Sequence, residues 1–140
     1  MSKGFTLMEL MVVVIILGLL AALVVPNLMG QGEEARQKLA CVNMKQIELS
    51  LNDFKLNLGD YPTTEQGLEA LITNPDSDRY KNFRVGGYLG AKTEPKDPWN
   101  NAYVYYLNDD GSPELVSLGA DRKEGGESFN RDLKLSECGQ

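Results

Sequence analysis

The groups in this sequence best able to do chemistry lie between Asp121 and Asp132, where Glu124, Glu127, Ser128 and Asn130 surround the pair Gly125-Gly126. Hard oxygen donors on a glycine-bearing loop suit calcium, which takes about six to eight oxygens at roughly 2.3–2.6 Å. Asp121 and Asp132 fall on the first and twelfth positions of an EF-hand frame. Lys123 and Gly125, however, stand where ligating side chains belong, and Asp132 replaces the usual Glu. The loop is therefore not an EF-hand, and by composition alone it reads as a solvated acidic turn. Cys41 and Cys138 are too few for a disulfide framework and too distant in sequence for a CxxC redox or zinc motif. They read as separate thiols, with a single bridge as the alternative.

Other chemistry is excluded by what is missing. The 140 residues contain no histidine, which removes the commonest general base and every Ser-His or Cys-His nucleophilic pair. A membrane-anchored enzyme would need paired acids such as Asp109 and Asp110, and these are better explained by a turn. No phosphate-binding Gly-rich Lys motif is present either. The formal net charge of -6 sits mostly after residue 30 and would repel a polyphosphate partner, so nucleic-acid binding is not expected.

The elements that must position these groups divide the chain. From Phe5 to Met29 only Glu9 is charged, and Leu10 to Val25 carries no polar side chain. At about 1.5 Å per residue such a helix exceeds a hydrocarbon core of about 30 Å. Its 12 Leu, Ile and Val residues between Leu10 and Val25 favour insertion, by roughly 4–7 kcal/mol in all. A cleaved secretory signal fits poorly, because Val24-Val25-Pro26 stands where small residues should follow the apolar run. A plain anchor gives no reason for an acid beside that run, since an ionisable group near lipid is costly and by default functional. Glu9 thus requires a partner. Pro26 is expected to kink the helix, with Gly18 and Gly30 loosening it further, either as a device for extension or as an ordinary bend at the membrane exit.

From Glu33 onward, Ala40, Met44, Ile47, Leu51, Phe54 and Leu58 recur at spacings of three and four and predict an amphipathic helix facing a sheet. Arg36, Lys38, Asn43, Lys45, Glu48 and Asn52 fall on its polar side. The helix is expected to run from Phe5 to about Leu58 and to end at Gly59-Asp60. Thr63 and Gln66 have capping-box spacing and predict a short helix through about Ile72. Asp97-Pro98-Trp99-Asn100-Asn101 leads into a strand from Ala102 to Leu107. Asn108 to Gly111 then turns the chain into a second strand, Glu114 to Leu118.

Gly4-Phe5-Thr6-Leu7-Met8-Glu9 followed by a long apolar helix resembles the N-terminus of type IV prepilins and pseudopilins. Tyr61-Pro62-Thr63-Thr64-Glu65-Gln66-Gly67-Leu68-Glu69-Ala70-Leu71, the Asp97-Pro98-Trp99 turn and Ser117-Leu118-Gly119-Ala120-Asp121 closely resemble the major pseudopilins of type II secretion systems. The resemblance implies an α+β, type IV pilin-like fold, with a long N-terminal α-helix packed on a small antiparallel β-sheet. It implies a leader peptide at residues 1–4, a transmembrane and assembly helix at 5–29, and a periplasmic domain at 30–140. A prepilin peptidase would cut between Gly4 and Phe5 and methylate the new amino terminus at Phe5. The Glu9 carboxylate of one subunit could then meet a neighbour's amino terminus and set register, the best-attested use of a buried ion pair.

The implied function is structural: a homopolymer forming a helical filament that drives folded exoproteins across the outer membrane. Implied partners are minor pseudopilins, an inner-membrane assembly platform with its ATPase, and the lipid bilayer. An adhesion or motility pilus subunit is the alternative, although such proteins usually carry a larger, disulfide-closed C-terminal domain. The resemblance also implies a calcium ion in the acidic loop, which assigns Asp121 and Asp132 as side-chain ligands and carbonyls near Leu118 and Ser128 as further ones. Asp121-Arg122 replaces the family's usual Asp-Gly, and Arg122, Lys123 and Arg131 put three positive charges around that ion.

Overall fold

A computed structural model describes residues 3–139, with the side chains of residues 25–29 outside the described set. Two compact units emerge along the chain, one ending at Ala35 and one running from Arg36 onward. A single helix, α1 (Leu7–Leu58), passes through both. Thr6 starts it, accepting the Leu10 amide on its carbonyl at 3.1 Å and the Glu9 amide on its hydroxyl at 3.2 Å. Those bonds satisfy amides that have no partner inside the helix. The helix therefore begins two residues later than expected, because Thr6 serves as its cap. Gly59, at φ 101°, ends it as expected. The kink expected at Pro26 falls within residues 25–29 and lies outside the described side chains.

In the first unit the window Leu7–Val24 has a mean hydropathy of 2.9, and none of it is buried. In the second unit the expected stripe is the core. Ala40, Met44, Ile47, Leu51 and Phe54 are all at most 2% exposed, and Leu58 packs at the edge of the same cluster. Phe54 meets Tyr80, Phe83 and Tyr88 edge-on, with ring centroids 5.3–6.4 Å apart. Edge-to-face geometry adds favourable quadrupole contact to the burial of the rings.

The capping box forms as read. The Gln66 amide donates to Thr63 Oγ1 at 3.2 Å and the Thr63 amide to Gln66 Oε1 at 3.0 Å. The helix that should follow does not extend, because Gly67 takes φ 60° and leaves only a 3-10 turn at Leu68–Leu71. Leu68 and Leu71 nevertheless fill the core.

The hairpin also appears. Strands β1 (Val104–Leu107) and β2 (Pro113–Ser117) pair antiparallel, with Tyr105 opposite Leu115. Ala102 lies outside β1 and instead bridges Lys96. A third strand, β3 (Leu133–Lys134), joins the other edge of β2 and was not anticipated. Tyr105 donates its hydroxyl to the Pro62 carbonyl at 2.7 Å, tying the sheet to the segment after α1.

The expectation of separate thiols is wrong: Cys41 and Cys138 form a disulfide, with Cα atoms 5.5 Å apart. Their separation of 97 residues along the chain disguised a short distance in space. After β3, a 3-10 turn at Leu135–Glu137 brings the C-terminus back to α1, beside buried Ala40 and Met44.

Candidate functional site

The processing and assembly residues expected from the sequence are Gly4, Phe5 and Glu9. Residues 3–6 have no regular structure and precede α1, and Phe5 is 83% exposed. The Gly4–Phe5 bond therefore lies in open, irregular backbone. Glu9 is exposed and sits in the first helical turn, where the helix dipole favours an acid by about 0.3–1 kcal/mol. This intrachain reason for an acid was legible but missed, since Thr6-x-x-Glu9 has the same spacing as the box recognised at Thr63.

The second candidate is the loop between β2 and β3. Arg122 at φ 60°, Gly125 at 87°, Gly126 at 91° and Ser128 at 56° bend it tightly. It is cross-braced from within: the Gly125 amide donates to Asp132 Oδ2 at 2.9 Å and the Lys123 amide to Asp121 Oδ1 at 3.1 Å. A Cβ on Gly126 would meet the Asn130 carbonyl oxygen at 2.4 Å, so only glycine allows the two sides to approach this closely. The other Asp132 oxygen, Oδ1, is buried and has no hydrogen-bond partner. A buried carboxylate oxygen left unpaired is costly, and a cation beside it would offset that cost.

A cavity of about 290 Å³ is lined by Leu118, Glu124 and Asp132, together with Val104, Tyr106, Val116 and Lys134. Two of the four assigned residues, Leu118 and Asp132, thus share one cavity with Glu124, which sequence reasoning placed in the loop without assigning it. Asp121 is half-buried and turned onto the Lys123 amide. Ser128 is exposed, and its carbonyl accepts from Gln37 Nε2 on α1 at 3.0 Å. Among the described residues no three His, Cys, Asp or Glu side chains cluster as a metal site. Any ion here must therefore draw on carbonyl oxygens or water as well, which calcium does and softer metals avoid.

Asp97 is 4% exposed; it donates its amide to the Asn101 carbonyl at 2.8 Å and accepts four hydrogen bonds. Its Oδ1 accepts from the Trp99 and Asn101 amides at 3.1 and 2.8 Å, its Oδ2 accepts the Ser117 hydroxyl at 2.7 Å, and its carbonyl accepts the Asn100 amide at 2.8 Å. The sequence showed the Asp-Pro-Trp turn but not its reach into β2.

Comparison with known proteins fits this geometry. Residues 27–136 match the family described as Type II secretion system (T2SS), protein G, and residues 1–25 match the prokaryotic N-terminal methylation motif. Type II secretion system core protein G of Vibrio cholerae is 50% identical over 133 residues, covering 94% of this chain and 90% of that protein. The Pseudomonas aeruginosa protein of the same name is 47% identical, covering 94% and 93%. The crystal structure of the major pseudopilin from the type 2 secretion system of enterohaemorrhagic Escherichia coli superposes with a TM-score of 0.64 at 31% identity, over 79% of this chain and 95% of that one.

Proposed function

The chain belongs to the type II secretion system protein G family, the membrane-anchored major pseudopilins, which are structural and not enzymes, and from that premise we propose how its parts serve a secretion filament. Prepilin peptidase cuts between Gly4 and Phe5 and methylates Phe5. The apolar helix holds the subunit in the inner membrane, with residues 30–140 in the periplasm. The assembly platform and its ATPase then draw subunits, with minor pseudopilins, into a homopolymeric fibre that pushes folded exoproteins through the outer membrane.

The observation that carries this reading is Leu7–Val24: a membrane-length apolar helix with no part buried by its own chain. Burying such a surface is worth roughly 25 cal/mol per Å². Lipid covers it first, and neighbouring helices cover it in the fibre. Glu9 leaves water in both settings and is offset by the amino terminus that processing creates at Phe5 of an adjacent copy.

The loop after β2 is suited to calcium. Asp132 offers a buried, unpaired oxygen. Glu124 and Leu118 line the same cavity, and Asp121 and the Ser128 carbonyl stand further along the loop. Calcium, when bound, supplies the positive charge that joins the two ends of the loop and lowers the cost of burying Asp132. Secretion tests the overall proposal: deleting the gene should abolish release of folded exoproteins to the medium, and the intact chain should restore it. Undiminished secretion after deletion would overturn the reading.

A further inference from the structure

Asp97 lies outside the acidic loop, yet its bonds converge on the loop's first residues. Through Oδ2 it holds the hydroxyl of Ser117, a residue with no exposed surface. That same hydroxyl accepts the Gly119 amide at 3.4 Å. Through Oδ1 it fixes the Asn101 amide, and Asn101 Nδ2 in turn donates to the Gly119 carbonyl at 3.3 Å. Leu118 is thereby held between two clamps that share one carboxylate.

The far side of the clamp is rigid as well. Gly119, at φ 70°, lies so close to the segment leading into β3 that a Cβ there would meet the Arg131 carbonyl oxygen at 3.0 Å. Ser117 pairs with Leu133, the residue after Asp132. Any movement of Ser117 therefore shifts both Leu118 and Asp132, which line one cavity, and Asp132 carries the buried, unpaired carboxylate oxygen.

We propose that Asp97 is a positioning residue for the calcium loop: through Ser117 and Asn101 it orients the Leu118–Gly119 backbone and sets its distance from Asp132. The inference rests on the calcium reading above and goes beyond it by placing control of affinity outside the loop. Groups that orient ligands without touching the ion typically change metal affinity by about 10- to 100-fold when removed.

The test uses the full chain in detergent micelles, with calcium affinity read by titration calorimetry and stability by melting in excess chelator. Asp97→Asn keeps an acceptor for the Trp99 and Asn101 amides and loses the one for the Ser117 hydroxyl. Ser117→Ala removes that hydroxyl and spares the Asp97 turn. Both should weaken calcium binding at least tenfold while the disulfide and the helical circular dichroism are kept. A lower melting temperature in chelator with unchanged calcium affinity in either folded variant would overturn the proposal, leaving Asp97 a purely structural brace. If the unmutated chain itself takes up no calcium, the calcium reading fails and this inference fails with it.

Discussion

At the scale of single residues, backbone geometry explains what side-chain chemistry alone could not. Arg122 occupies the left-handed region at φ 60°, a conformation costing roughly 1–2 kcal/mol for a residue with a Cβ. The family's usual glycine at this position therefore has a conformational reason. Arg122→Gly should raise stability in chelator by about 0.5–1 kcal/mol, since glycine's own entropy cost offsets part of the relief. Chemical denaturation checks this, and a loss of stability would show that the arginine makes contacts worth more than its strain. Glu9 and the acidic loop were legible as residue types at suggestive positions. Asp97 was not, because an Asp-Pro-Trp turn announces its own bend and says nothing about a serine 20 residues later along the chain.

At the scale of elements, legibility followed periodicity. The stripe from Ala40 to Leu58 repeats often enough to name a helix face, and each of its members lies in or against the core. The hairpin was legible from Asn108–Gly111 between two apolar runs. Strand β3 has two residues, too few for any alternation to register, and is defined by its pairing with β2. The disulfide escaped notice for a related reason: only the path through β3 and the following turn carries Cys138 back to Cys41. Closing a loop of nearly a hundred residues restricts the unfolded chain, and loss of such a bridge typically costs about 2–5 kcal/mol. Replacing both cysteines with serine should lower the denaturation free energy by about that amount. A change below about 0.5 kcal/mol, the level of an ordinary surface substitution, would mean that core packing holds the tail unaided.

At the scale of the whole molecule, the second unit buries Tyr80, Tyr88, Tyr103 and Tyr105 while the first exposes its apolar helix. Burial pushes the Tyr103 hydroxyl up to about 12 and raises Tyr105 as well, mainly by desolvating the phenolate. A pKa raised on folding means that the folded state favours the neutral phenol. The contribution is fully present below the unfolded value near 10 and is lost as pH climbs through the folded value. Stability should therefore hold up to about pH 10 on this account and fall above it, with phenolate absorbance rising together with unfolding. Ionisation of every tyrosine near pH 10 in a still-folded chain would contradict the burial.

The exposed helix makes the larger claim, that this subunit is completed only by lipid and then by its own copies. Electron microscopy of cells producing the chain with its peptidase and assembly platform tests that claim most directly. The account predicts fibres from the unmutated chain, and few or none from Glu9→Ala although that variant still inserts. An unmutated chain that is processed yet stays dispersed in the membrane, or equal fibre yield from both, would contradict it.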